Sequence, residues 1–229
     1  MTTPHFHRWS YSAWDNFRTC PKKYWAEKIA KVVPYEVGET QQWGIDVHEA
    51  LEHRLRDRNL LAERYKSFET VAQWAESFPG DERLYEHKLA VSRQYYAPCE
   101  ANSKDAWCVG IMDVLILDRK NKTAYVIDWK LGKKKTNSQQ MALYAALIFA
   151  HYGEEIHNVK AVYAWLKTAE KTHERYDINE KYTLWDSFMP GVNRMEKAYQ
   201  TGNFMAQSSG LCRAWCGYFA CTFNGRKNP

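Results

Sequence analysis

The chain has 229 residues, 26% of them charged, and a formal net charge of +5, an excess mild enough to permit a polyanionic partner without identifying one. No run of about 18 apolar residues is present, which argues against a membrane span, and the opening MTTPHFHRWSYS has neither the basic start nor the apolar centre of a secretory signal. A soluble protein of the cytoplasm is the expectation, with all of 1–229 in one domain large enough to bury an ordinary core.

In chain order, SYSAWDNFRTCPKKYWAEKIA carries Trp14, Phe17, Tyr24 and Ile29 at near-helical spacing, and the break at Pro21 predicts one short helix followed by another. WGIDVHEALEHRLRDR places Val47, His48, Leu51 and Leu55 on one helical face, and LAERYKSFETVAQWAESF reads as a further helix. The period then changes to two. LYEHKLAVSRQYYAP, WCVGIMDVLILD and TAYVIDWKLG read as strands, separated by the turn-rich ANSKD and RKNK. A helix follows in SQQMALYAALIFAHYG, ended by Gly153, then strands in VKAVYAWLKT and THERYDI and a long helix within KYTLWDSFMPGVNRMEKAYQTG. With no repeat and no linker, this order predicts an α/β sandwich with a mixed sheet: 1–80 mainly helical, 81–200 the α/β core, and 201–229 an aperiodic, cysteine-rich tail packed on the N-terminal segment.

The hairpin in VGIMDVLILDRKNKTAYVIDWKLGKKK carries charges that a hairpin does not need. A turn centred on Lys120 and Asn121 sets Asp113 directly opposite Asp128, and Lys130 projects from the same face as Asp128. Opposed side chains lie about 4.5–5.5 Å apart at Cβ, where like charges destabilise the pair. Two anions among Val, Ile and Leu must either lose a charge to protonation or share a cation, and a hard divalent ion bound by oxygen is the simpler resolution. Lys130 beside that ion is placed to stabilise charge on a phosphate or to orient an attacking water. The plainer alternative is a local Asp128–Lys130 ion pair.

GIMD followed after one hairpin by VIDWK resembles the G-x-x-D and D-x-K motifs of the PD-(D/E)XK nucleases, in particular the RecB-like branch. GIDVHEALE looks like the leading histidine motif of that branch and QQMALY like its Q-x-x-x-Y motif, so four motifs stand in the family's order across 44–144. Met112 stands where the family name has Pro, and Asp128 replaces the commoner Glu. The resemblance implies a restriction-endonuclease-like core, with His48, Asp113 and Asp128 as ligands of one or two Mg²⁺ or Mn²⁺ ions. Asp113, Asp128, Lys130, Gln140 and Tyr144 would be the catalytic set, the last two positioning the nucleic-acid strand. Glu86, on the preceding strand, offers a further carboxylate, although a solvated glutamate is its simpler reading.

Of the six cysteines, Cys212, Cys216 and Cys221 are spaced C-x3-C-x4-C, suited to wrap one metal centre, and Cys20 is the candidate for a fourth ligand. FRTCPKKYW resembles the opening of RecB-like nucleases in which one N-terminal cysteine joins three near the C-terminus around a 4Fe-4S cluster. AddB and the CRISPR-associated RecB-like exonucleases are examples. The family's terminal spacing is C-x2-C-x5-C, so zinc stays open as the alternative. Such a latch would close most of the chain into one loop. Cys99 and Cys108 have no such context.

Together these features predict a metal-dependent DNA nuclease, an exonuclease with little sequence preference, acting on single- or double-stranded DNA in a bacterial or phage-infected cell. Lys133, Lys134 and Lys135 continue from the catalytic strand and either track the phosphate backbone or form a solvated loop. The alternatives are a non-catalytic nucleic-acid-binding subunit that keeps the fold and latch, and a hydrolase of small phosphoesters.

Overall fold

The structure, a computed structural model, describes residues 6–34, 36–134 and 139–226. In chain order its elements are α1 (Tyr11–Thr19), α2 (Pro21–Tyr24), α3 (Glu39–Asp57), α4 (Glu69–Glu76), β1 (Glu82–Val91), β2 (Pro98–Cys99), β3 (Cys108–Asp118) and β4 (Thr123–Lys130), then α5 (Gln140–Tyr152), β5 (Asn158–Trp165), β6 (Glu170–Asp177) and α6 (Lys181–Thr201). Every predicted helix and strand is present. The chain gathers into two compact units, one of Val37–Trp185 and the other of Met1–Glu36 with Asp186–Pro229. Among the described residues no helix is long and apolar enough to cross a membrane.

The larger unit is built on a six-stranded mixed sheet of order β2-β1-β3-β4-β5-β6. Only β4 and β5 are parallel, and α5 is the crossover that a parallel pair requires. The β3–β4 turn is held by the Asp118 carboxylate, which accepts from the Asn121 backbone N–H at 3.1 Å and from its side-chain amide at 2.7 Å. It sets the register expected from the sequence, with Val114 opposite Ile127 and Leu117 opposite Ala124.

Alternation divides the sheet into two faces. Val114, Ile116, Ile127 and Trp129 pack with Val47, Leu51 and Leu55 of α3 and with Ala72 and Ala75 of α4. Between those helices Arg54, only 7% exposed, donates to Glu69 at 2.7 Å and to Glu76 at 2.9 Å and thereby fixes α4 against α3. The opposite face is covered by α5, whose residues 143–149 are all buried.

In the smaller unit Trp9 and Trp14 pack on Phe188. A Cβ at Gly191 would lie 2.2 Å from Trp14 Nε1, so glycine there lets the part of α6 from 186 onward approach α1. The α2 helix runs on as a π turn over Trp25–Ile29, and Lys22 N–H donates to Met205 C=O at 3.2 Å.

Gly110 sets how closely α5 lies on β3. A Cβ there would meet Leu147 Cδ1 at 2.5 Å and the Tyr144 ring at 3.4 Å. Gly110→Ala is expected to cost about 1–3 kcal/mol through overpacking, a fall in Tm of roughly 2–10 °C, with a loss of any activity that depends on Gln140 and Tyr144. Thermal unfolding and assays of the same preparation check both.

Candidate functional site

At one level of the sheet the regular pattern fails. Tyr85 packs in the core beneath α3 and α4, yet His87, two residues on, reaches Tyr152 of α5 at 3.4 Å. A regular strand cannot do this. Between them Glu86 adopts a left-handed φ of 46°, a strained conformation for a residue with a side chain. The strand across from it is disturbed at the same level: Gly110 faces α5 whereas Val114, four residues later, faces α3 and α4. The β1–β3 pairing accordingly passes from Tyr85–Val114 to His87–Met112 without Glu86 and Asp113, and the β3–β4 pairing begins at Val114–Ile127.

Side chains fill the break. Asp113 Oδ2 accepts the Trp129 backbone N–H at 2.7 Å, taking the place of a ladder acceptor, and lies 3.4 Å from His48 Nδ1 on α3. Donor atoms of His48, Glu86 and Asp113 come within 4.8 Å of one another. A hard divalent ion with ligands at about 2.0–2.6 Å spans a set of this size, and the two carboxylates match its preference for oxygen donors, with one borderline imidazole beside them. Glu86 is therefore no solvated strand residue; it is half-buried beside Asp113.

Asp128, on the same face of β4 as Lys130, belongs to a closed ring of contacts. Its Oδ2 is 2.5 Å from Lys130 Nζ, in an ion pair without hydrogen-bond geometry. Gln140 donates through Nε2 to Asp128 Oδ1 at 3.0 Å and to Tyr144 Oη at 2.6 Å, while its carbonyl accepts from Lys130 Nζ at 3.0 Å. Tyr144 in turn donates to the Ile111 carbonyl at 2.5 Å. Tyr144 is 4% exposed, so the Q-x-x-x-Y pair turns inward and orients Lys130 and Asp128. The Asp128–Lys130 ion pair weighed as the plain alternative is present, and it sits next to the donor set.

Burial raises the Asp128 carboxyl to about 6, with the charge of Asp113 adding to it and Lys130 opposing. Glu86 is raised to about 7, again by desolvation first and Asp113 second. For His48 burial pulls downward, but the hydrogen bond and charge of Asp113 outweigh it and the net shift is upward. Crowded, partly desolvated anions of this kind mark functional sites.

Lys133 and Lys134 are exposed beyond β4, and Lys134 pairs with Glu170 at 3.2 Å; Lys135 lies outside the described residues. Cys20, Cys212, Cys216 and Cys221 lie in the smaller unit, whereas Cys99 and Cys108 belong to β2 and β3. Gln207 N–H donates to Cys20 Sγ and Ser209 N–H to Cys212 Sγ, each at 3.4 Å, so one short segment serves both sulfurs. Asn224 and Gly225 gather the other three positions: the carbonyls of Cys212, Cys216 and Cys221 accept from Gly225 N–H, the Asn224 side-chain amide and Asn224 N–H at 2.9, 3.0 and 3.0 Å. Asn224 is 2% exposed. Sequence reading passed over it, because an asparagine in an aperiodic tail looks like any turn residue.

The sequence from 8 to 221 matches the family model of the PD-(D/E)XK nuclease superfamily. Two solved structures share the fold. One is a Eubacterium rectale protein provisionally named an exonuclease (TM-score 0.53, 13% identity, 90% of this chain and 86% of that one covered). The other is SSO0001 (TM-score 0.51, 13% identity, 97% and 89% covered). No curated protein matches the sequence.

The electrostatics predict a pH signature with a definite sign. Glu86, His48 and Asp128 all hold protons more tightly folded than unfolded, so the stability they contribute is present at low pH and is lost as pH rises towards about 7. A divalent ion needs the same groups deprotonated and should restore the loss. Melting curves with and without Mn²⁺ are expected to show a larger rise in Tm at pH 7.5 than at pH 5.5, and Glu86→Gln to flatten the metal-free slope.

Proposed function

This chain belongs to the PD-(D/E)XK nuclease superfamily, and we propose that it is a metal-dependent deoxyribonuclease of the RecB-like branch, an exonuclease with little sequence preference. The family match runs across both compact units, which supports reading the whole chain as one nuclease domain. The observation that carries the proposal is the donor set of His48, Glu86 and Asp113 beside the Asp128–Lys130–Gln140 ring, at a break in the sheet.

His48, Glu86 and Asp113, with Asp128 next to them, would hold Mg²⁺ or Mn²⁺. Bound there, the ion supplies Lewis-acid neutralisation of the phosphate and acidifies the attacking water. The residues of the chain do the positioning. Lys130 has three N–H donors; Asp128 and Gln140 restrain the ammonium group, and its 30% exposure leaves it open towards a phosphate oxygen. Asp128, raised by burial to about 6, is still ionised at neutral pH and balances the lysine when the site is loaded. Tyr144 and Gln140 keep that geometry from relaxing. Lys133, Lys134 and Lys135, just beyond the catalytic strand, would meet the backbone of DNA, a contact without sequence information.

Cys20, Cys212, Cys216 and Cys221 would hold a 4Fe-4S cluster, with zinc as the alternative occupant. Two observations support it. The N–H donors aimed at the Cys20 and Cys212 sulfurs suit thiolates, and Asn224 with Gly225 draws the other cysteine backbones together. The group would be structural, tying the first segment of the chain to the last. The protein would work in the cytoplasm, where its six cysteines stay reduced.

End-labelled DNA incubated with Mg²⁺ or Mn²⁺ should be degraded, and Asp113→Ala should reduce the rate at least ~100-fold, the scale of removing one preorganised charge from an active site. An absence of cleavage in any metal would point to the binding subunit instead. Anaerobically purified protein should show a broad visible absorption band that Cys20→Ser abolishes; a colourless, zinc-loaded protein would replace iron by zinc.

A further inference from the structure

Next to the site lies a cleft of about 270 Å³, walled by Phe68, Val71 and Trp74 on one side and by Ala164, Leu166 and Lys171 on the other. That is near the ~300 Å³ lower end of small-molecule sites, room for one flat ring system. One wall is aromatic and the mouth is cationic. Lys171 Nζ stands 4.6 Å from the Trp74 ring centroid. Lys133, Lys134, Lys167 and Lys171 are all exposed in the loop after β4 and the β5–β6 hairpin, against one lining acid, Glu170, which Lys134 holds at 3.2 Å. Ser67 and Thr70 put exposed hydroxyls at the rim.

The place of the cleft narrows what it takes. Parallel β4 and β5 end together: Lys130 is in register with Trp165, and Leu166 N–H donates to the Lys130 carbonyl at 2.9 Å. The cleft thus begins one strand over from the catalytic lysine, about 4.8 Å away in the sheet, at the carboxyl ends of a parallel pair, where open α/β sheets receive ligands. The Lys130 side chain leaves on the α5 face, whereas Phe68 and Trp74 belong to the α4 side. An occupant that reaches both must lie across the end of the sheet, with anionic links and a flat apolar group. A nucleotide strand has both; a duplex keeps its bases stacked and must lose a few kcal/mol to release one.

We infer that this cleft is a base-stacking subsite, which takes one unpaired base of a single-stranded segment next to the phosphate at Asp113 and Lys130. The phosphate's place rests on the nuclease reading; the stacking wall does not.

Binding of fluorescein-labelled oligothymidylate and of a duplex of the same length, in EDTA and in an Asp113→Asn background, tests the cleft without cleavage. Trp74→Leu removes one wall. Thr70→Trp, at an exposed helical position, fills the cleft from its rim without touching the core, and decides the matter if Trp74→Leu melts early. Each is expected to weaken single-strand binding about tenfold, as loss of a base–aromatic stack does, and to leave duplex binding within about twofold. Single-strand binding equal to that of the background protein, or an equal loss for both DNAs, would overturn the assignment. A protein that stacks single strands here but cuts nothing in any metal would instead remove the nuclease reading and leave the subsite standing.

Discussion

The Asp113 carboxylate occupies a place where a β-ladder would put a backbone carbonyl, and the rest of the site depends on that exchange. By accepting the Trp129 N–H at 2.7 Å it satisfies a buried donor that the separating strands would otherwise orphan. The β3–β4 hairpin can therefore open at this level without an unmet hydrogen bond. Opening it frees Asp113 from the cross-strand pairing that would have pressed it against Asp128, and turns it towards His48 and Glu86. Burial first and the nearby charge of Asp113 second raise Asp128 and Glu86, and the crowding of like charges is of the kind that a divalent cation relieves.

A second constraint keeps the lysine in place. Gln140 satisfies Asp128, Tyr144 and Lys130 at once, and only an amide, with donors and an acceptor on one end, can do so. The ring of contacts requires α5 to lie close enough for its first turn to reach β4, and Gly110 allows that approach. Thus the glycine and the aspartate of one short motif serve different ends of the same site. One clears space for a helix and the other replaces a backbone acceptor.

The two sides of the sheet divide the labour. The α5 face carries the polar ring around Lys130, while the α3–α4 face carries the apolar core and the aromatic cleft, held in shape by the buried Arg54 between Glu69 and Glu76. In the smaller unit Asn224 plays a comparable part, donating from a buried position to the backbones of cysteines that no regular element could align.

What the sequence determined by itself was whatever depends on near neighbours. Period-two runs marked the strands, a four-residue turn set the register of Val114 against Ile127, and the order of four short motifs pointed to the superfamily; the direct opposition of Asp113 and Asp128 that this register implies is broken where the hairpin opens. Glu86, the inward direction of Gln140 and Tyr144, Arg54, Asn224 and the Trp74 cleft were decided only by tertiary structure. Each depends on groups brought together from distant parts of the chain or on a backbone angle, such as φ of 46° at Glu86, that exists only once β1 is laid against β3. A residue type records what a side chain can do; the neighbour it meets is set by packing.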